Sequence, residues 1–269
     1  MDEAAALKPR ALVLEGTNVR RATNVAEHEV YDNALRAVAS SHGLVIADFP
    51  ARDVDRLLTF LQIARDTGRK LAILPKDAYL LKTMRLLEQT APDIVQDENI
   101  AIYQDTVASK NPNLWMRNLF QEYNGKTVLA GDVRSSQDQF ILCFSFFDLN
   151  ELPSIHPKPS SLYLFSSSEP HDEEQEIDFR RLHSWLEHFG LQPFGLPVEK
   201  HGRWQIPDEQ RGLHASGHAC GTDLLDIVRK ISPEIILPVH TEHPGFYQRQ
   251  LANSGIRVIL PIRGKPIEI

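Results

Sequence analysis

The sequence predicts an α/β protein built on parallel sheet, with helices on both faces. Three observations carry this. Short apolar runs such as "ALVLEG", "LVIAD" and "KLAILP" alternate with longer stretches whose apolar residues recur at helical spacing. Two of those stretches stop at a glycine, Gly43 and Gly68. The same rhythm returns near the C-terminus, where "EIILPV" and "RVILPI" flank another helical stretch. Strand–helix alternation of this kind puts the strands in parallel and the connecting helices against the sheet.

In order, "ALVLEG" reads as a strand ended by a Gly-Thr-Asn turn. "NVAEHEVYDNALRAVASSHG" is a helix with Val30, Ala34, Ala37 and Val38 on one face, closed by Gly43. "LVIAD" is a second strand. "ARDVDRLLTFLQIARDTG" is a helix presenting Leu57, Leu58, Leu61 and Ala64 and ending at Gly68. "KLAILP" is a strand, and "KDAYLLKTMRLLEQT" a helix broken at Ala91-Pro92. "NLWMRNLFQEY" reads as a helix, and "KTVLA", "FILCFSFF" and "SLYLFSSSE" as strands. The proline-rich "LNELPSIHPKPSS" reads as a surface loop. "EPHDEEQE" is a solvated acidic turn leading into the helix "EIDFRRLHSWLEHFG". Helices from about Thr222 and Pro244 then alternate with the last two strands.

A chain of 269 residues has ample core for one large domain or two smaller ones. Its two cysteines, Cys143 and Cys220, are too few for a disulfide framework and suit a reducing, cytoplasmic setting. No signal peptide is visible, and "FILCFSFF" is far too short for a bilayer, so no membrane partner is expected. A net charge of −7 argues against nucleic-acid binding through bulk positive charge, though not against a local channel.

Three segments could carry chemistry. Glu15 ends an apolar strand, the edge where ligands gather in α/β sheets; it could equally hold the following turn together. In "HASGHA", Ser216 and Gly217 oppose helical geometry, so the segment is a turn feeding the next helix. Its imidazoles (His214, His218), hydroxyl and backbone N–H groups suit a phosphate oxygen, or they simply cap and pack. In "ILPVHTEHP", His240 follows a strand that would aim it at a metal, with Glu242 behind it; the bland alternative is a loop histidine.

Taken together and in order, "LVLEGTN", "LVIADFPARDVDRL", "LYLFSSSEP" and "LHASGHACGTDLLDIVRKISPEIILPVHTEHP" resemble the metallo-β-lactamase/β-CASP nucleases, the group that includes ribonuclease J and the mRNA 3′-end cleavage endonuclease. The resemblance implies the second half of a metallo-β-lactamase αββα sandwich with an inserted β-CASP α/β domain. Residues 1–43 and 205–269 would be sandwich, and 44–204 the insert. It implies an RNA-processing hydrolase using two zinc ions. Glu15 matches the acidic residue of motif A, His218 the histidine of motif B and His240 that of motif C, where histidine rather than valine favours RNA. His214, Ser216 and Gly217 match the phosphate-gripping loop; Ser166, Ser167 and Ser168 lie where the family has a serine near its phosphate pocket. Phosphodiester hydrolysis needs an activated water, neutralisation of the phosphorane and a proton for the leaving oxygen. Zinc would supply the first two. An imidazolium beside a carboxylate is a ready source of the third, so Glu15 and His218 are assigned as the acid–base pair and His240 as a metal ligand. "HTEHP" and "LEGTN" depart from the ribonuclease J versions of these motifs, which leaves the subgroup open.

None of the eleven histidines forms the HxHxDH motif that carries most of the family's metal ligands. "MDEAAALKPRALVLEG" reads like the interior of a longer protein, so a fragment, or one chain of a split enzyme, is expected. Its partners would be RNA, the N-terminal metallo-β-lactamase half, and further copies of itself. Exposed apolar sheet surface would accompany the missing half. Two other readings compete: a non-catalytic RNA-binding or assembly subunit of the same fold, and a lone zinc site of His214, His218, His240 and His243.

Overall fold

The computed structural model describes residues 1–105 and 112–269, which form two compact units, residues 1–25 with 215–269 and residues 26–214. The first unit opens with helix α1 (Asp2–Ala6) and strand β1 (Ala11–Glu15).

The second unit holds helix α2 (Glu27–Ser40), strand β2 (Val45–Asp48), helix α3 (Val54–Asp66), strand β3 (Lys70–Ile73), helix α4 (Pro75–Leu87) and strand β4 (Ile100–Tyr103). It continues with α5 (Leu114–Glu122), β5 (Thr127–Val128), α6 (Ala130–Ser135), β6 (Phe140–Leu142), α7 (Leu152–Ile155), β7 (Leu162–Phe165), α8 (Glu173–Phe189) and β8 (Gln192–Phe194). A small antiparallel hairpin, β9 (Val198–Lys200) and β10 (Arg203–Gln205), follows. Seven strands pair in the order β5-β4-β3-β6-β2-β7-β8, all parallel.

Alternation along each strand explains the layering. Val45, Ala47, Leu71, Ile73, Ile141 and Leu164 point into one core with α2, α3 and α5, whereas Leu44, Ile46, Ala72, Leu142 and Tyr163 point into another with α6, α7 and α8. Both faces are covered, so the strands read as continuous apolar runs rather than alternating ones. The α/β class with helices on both faces is therefore observed.

Several local expectations needed correction. Helix α2 ends at Ser40, and Gly43 is not its cap. It is a glycine because a Cβ there would come within 2.9 Å of Ser161 Oγ and 3.1 Å of Ser161 Cα. Gly68 does adopt a positive φ of 67° after α3. On α3, Phe60 rather than Leu58 completes the buried face; Leu58 is 37% exposed. Strand β4, absent from the sequence reading, is entirely buried. The "FILCFSFF" strand stops at Leu142, and Ser145 then folds back on Asp148, whose Oδ2 accepts from the Ser145 N–H at 2.8 Å and its hydroxyl at 2.7 Å. The first part of the expected proline-rich loop, residues 149–155, is helical instead: the end of a 3-10 turn (Phe146–Glu151) runs into α7, with Leu149, Leu152 and Ile155 buried at threefold spacing, while residues 156–161 are irregular. Pro153 is tolerated there because it lies in the first turn. Within the unit of residues 26–214, α2 packs on α3, and the Leu213 carbonyl is bonded to Arg56.

The first unit resumes with α9 (Gly221–Ile231), β11 (Ile235–Val239), α10 (Gly245–Gln250) and β12 (Arg257–Val258). Its three strands are parallel in the order β1-β11-β12, with Glu15 opposite Val239. Val19, Leu224, Val228, Ile236, Tyr247 and Leu251 form its core. Apolar side chains are exposed here too, among them Val13 at 58% and Ile262 at 59%.

Candidate active site

The register of the first unit's sheet decides where its polar residues meet. Because Glu15 pairs with Val239, β1 and β11 end side by side, and the next residue on the second strand is His240. Two reciprocal links lash these ends together. Gly16 N–H (3.4 Å) and the Thr17 hydroxyl (3.2 Å) donate to the His240 carbonyl, and the Thr241 hydroxyl donates to the Gly16 carbonyl at 2.7 Å. Gly16 has no room for a side chain, since a Cβ would come within 2.9 Å of Thr241 Cβ. His240 itself is held at φ +47°, a left-handed conformation uncommon for residues other than glycine. Such strain persists only where the surroundings over-determine it, as these links do.

The segment preceding α9 brings in the third residue. His218 Nδ1 lies 3.3 Å from Glu15 Oε2, and the rings of His218 and His240 are 5.4 Å apart. Among the described residues, Glu15, His218 and His240 form a group whose donor atoms all lie within 4.8 Å of one another. Glu15 is one-quarter exposed and His218 43% exposed, so the cluster faces solvent.

Burial would push the Glu15 carboxyl up. It is outweighed by the Thr17 N–H (2.8 Å) and hydroxyl, by the charge of His218 and by the Ala219 N–H (3.2 Å), so the group sits below the ordinary glutamate value. Behind it, Tyr247 donates its hydroxyl to the Glu15 carbonyl. Burial first, then the Glu15 charge, raises that phenol well above its normal range, so it stays a donor.

The turn at Ser216 is fixed from β1's side. Asn18 donates to Ser216 Oγ at 2.9 Å and to the His218 carbonyl at 3.3 Å, and Asn24 donates to the same carbonyl at 3.0 Å. Ser216 Oγ also accepts the His218 N–H at 3.2 Å. With two donors directed at its oxygen, the hydroxyl proton is available to a further acceptor. At Gly217 a Cβ would meet nothing within 4 Å, so packing does not demand a glycine.

His214 and the serines belong to the second unit. Ser166 is fully buried and donates to the Leu213 carbonyl, which makes it a packing residue rather than a ligand-facing one. Ser167 and Ser168 are half-buried, and Ser168 Oγ lies 3.2 Å from His171 Nε2. His243, the fourth histidine of the lone-zinc reading, is outside the clustered group, as is His214. Sequence reading missed Thr17, Asn18, Asn24 and Tyr247. The "GTN" after the first strand was a visible cue for the first two, as turn-forming hydroxyl and amide side chains. Tyr247 had no cue.

A family model described as "Zn-dependent metallo-hydrolase RNA specificity domain" matches residues 210–261, which include His214, Ser216, Gly217, His218 and His240. With the mixed α/β architecture, this supports a metallo-β-lactamase/β-CASP nuclease-like family for the chain. Among curated proteins it is similar to a ribonuclease J of Sinorhizobium meliloti (strain Sm2011 / Rm2011 / 2011), 22% identical over 238 residues. That alignment covers 86% of this chain and 36% of the relative, so the chain spans little more than a third of the relative's length. Among the described residues, no helix is long and apolar enough to cross a membrane.

The donor set suits the metal that the family description names. The His240 imidazole is a donor of the kind zinc takes, and the Glu15–His218 pair stands within reach of anything it would hold.

Proposed function

We propose that this chain contributes the acid–base half of a zinc-dependent ribonuclease that hydrolyses RNA phosphodiester bonds. The observation that carries the reading is the convergence of Glu15, His218 and His240 at one sheet edge. Glu15 orients His218: its carboxylate, fixed by two backbone N–H groups, lies 3.3 Å from the imidazole Nδ1 and leaves Nε2 on the far side of the ring to deliver a proton. His240 would hold zinc through its ring, directed by the left-handed backbone at the strand end. When bound, two zinc ions supply water activation and charge neutralisation. Ser216 presents its free hydroxyl proton to a phosphate oxygen, alongside the Gly217 backbone. His214, Ser167 and Ser168 bind phosphate from the second unit, which corresponds to the β-CASP-type insert. The remaining metal ligands, which no HxHxDH motif in this chain provides, come from a metallo-β-lactamase half outside residues 1–269. Self-association and a cytoplasmic location belong to the same reading.

The test is zinc content by elemental mass spectrometry after zinc loading and desalting, with cleavage of single-stranded RNA assayed in parallel. Less than one zinc per chain and no cleavage by the chain alone are expected. Cleavage should appear when the complementary half is supplied, and not with His240→Ala. Two tightly held zinc ions would overturn the divided ligand set. Full cleavage by His218→Ala would overturn the proton-donor role. A chain that binds RNA but never supports cleavage with a zinc-loaded partner half would make it a binding subunit.

A further inference from the structure

Arg56, in the first turn of α3, is fully buried, on the helix face that also carries Phe60 and Ile63. Removing a guanidinium from water is costly unless its charge is matched and its N–H groups are bonded. Both conditions hold. Nε donates to Glu27 Oε1 at 2.8 Å and Nη2 to Glu27 Oε2 at 3.1 Å, a two-pronged pairing. Nη1 turns the other way, donating to the carbonyls of Ser166 at 2.8 Å and Leu213 at 3.0 Å and contacting Ser166 Oγ. The Ser166 hydroxyl closes the network onto the Leu213 carbonyl, and Thr59 donates to Glu27 Oε1 at 2.7 Å. Burial would raise the Glu27 carboxyl, but Arg56 and Thr59 hold it low, with a smaller contribution from the charge of His214.

Each partner belongs to a different stretch of chain. Glu27 opens α2, Ser166 leads directly into Ser167 and Ser168, and Leu213 directly precedes His214. We propose that Arg56 is a positioning residue for RNA binding, which fixes the backbone carrying His214 and the backbone carrying Ser167 and Ser168 against one another. This rests on the reading of those three residues as phosphate-binding. Lysine cannot substitute: a single ammonium lacks the planar fork needed to span both Glu27 oxygens and two carbonyls at once.

The experiment measures binding of a fluorescent single-stranded oligouridylate to the full chain by anisotropy, with circular dichroism confirming the fold of each variant. His214→Ala should weaken binding about tenfold, the loss of one charge-assisted contact. Arg56→Lys should weaken it by a similar factor. The double variant should be no weaker than the worse single variant within about twofold, because both changes remove the same contact. Should Arg56→Lys fail to fold, Ser166→Ala, which deletes one hydroxyl, should still weaken binding about threefold. A folded Arg56→Lys, or failing that Ser166→Ala, that binds like wild type while His214→Ala does not would overturn the positioning role alone. Fully multiplicative losses in the double variant would do the same. Unchanged binding by His214→Ala, or no binding by wild type, would overturn the phosphate-binding reading and this inference with it.

Discussion

Each unit places a carboxylate at the C-terminal end of a parallel strand, and the two are treated in opposite ways. Glu15 ends β1 at an edge open to solvent, where two backbone N–H groups and His218 hold it ionised. Asp48 ends β2 at an edge closed over by side chains. It is 8% exposed, accepts the Tyr163 hydroxyl and faces Asp148. Burial, partly offset by Tyr163 and reinforced by Asp148, pushes its carboxyl up to about 7. Asp77, nearby in charge terms through the same Asp148, is pushed up to about 6 for the same leading reason. A strand-end carboxylate is thus not a site by position. Backbone donors and access make the first one usable; burial with a single hydroxyl donor makes the second one structural.

The contrast breaks most sharply in catalysis. If Glu15 and His218 act as proposed, His218→Ala or Glu15→Gln should lower kcat for RNA cleavage in the zinc-loaded, complete enzyme by about 10²–10⁴, the usual contribution of a general acid–base group. Melting temperature should barely move, since both side chains are partly exposed. Asp48→Asn should do the reverse, leaving kcat near wild type while changing stability.

The pH dependence of stability sharpens the same difference. An unfolded aspartate releases its proton near pH 4, whereas folded Asp48 keeps it to about 7. Between those values the folded state binds more protons, so this contribution is complete below about pH 4 and is lost as pH rises through 7. Urea unfolding should therefore show stability falling between pH 4.5 and 8, by up to about 4 kcal/mol for Asp48. Asp77 adds a loss completed near pH 6. Asp48→Asn should flatten most of the slope. Glu15 works in the opposite sense: its lowered value adds stability above the unfolded glutamate value that is lost as pH falls through the folded one. A profile that rises from pH 5 to 8 in wild type would show that Asp48 is ionised and solvated.

How much of this was legible in the sequence follows from what leaves a pattern. The strands of the large sheet announce themselves because both faces are covered, giving runs such as "LVIAD" and "LYLF". Strand β4 was missed because its four residues sit among polar neighbours and look like a loop. Glu15, His218 and His240 could be picked out by chemistry, and the strand register brings them together. The residues that aim them could not be picked out, because Asn18, Asn24 and Tyr247 act through carbonyls and a hydroxyl that only folding brings close. Arg56 did leave a trace, a charge at i−4 from Phe60 on an otherwise apolar face, and that kind of mismatch is worth searching for.

The finest test deletes one hydroxyl at each edge. Tyr163→Phe removes the donor that partly stabilises Asp48's charge, in a place water does not reach. It should cost about 1–3 kcal/mol above pH 7, where Asp48 must ionise without a partner, and less at pH 5, where the neutral acid tolerates the loss. Thr17→Val removes, on an exposed residue, a hydroxyl that bonds the His240 carbonyl at 3.2 Å and helps hold the Glu15 carboxyl low, a titration complete below pH 5. Water can replace that bond, so the cost should stay below about 1 kcal/mol and not depend on pH in this range. Chemical denaturation of the two variants at pH 5 and 8 checks this. Equal costs at both edges would mean that Asp48 is as hydrated as Glu15, and the distinction between a sealed and an open strand end would lose its physical basis.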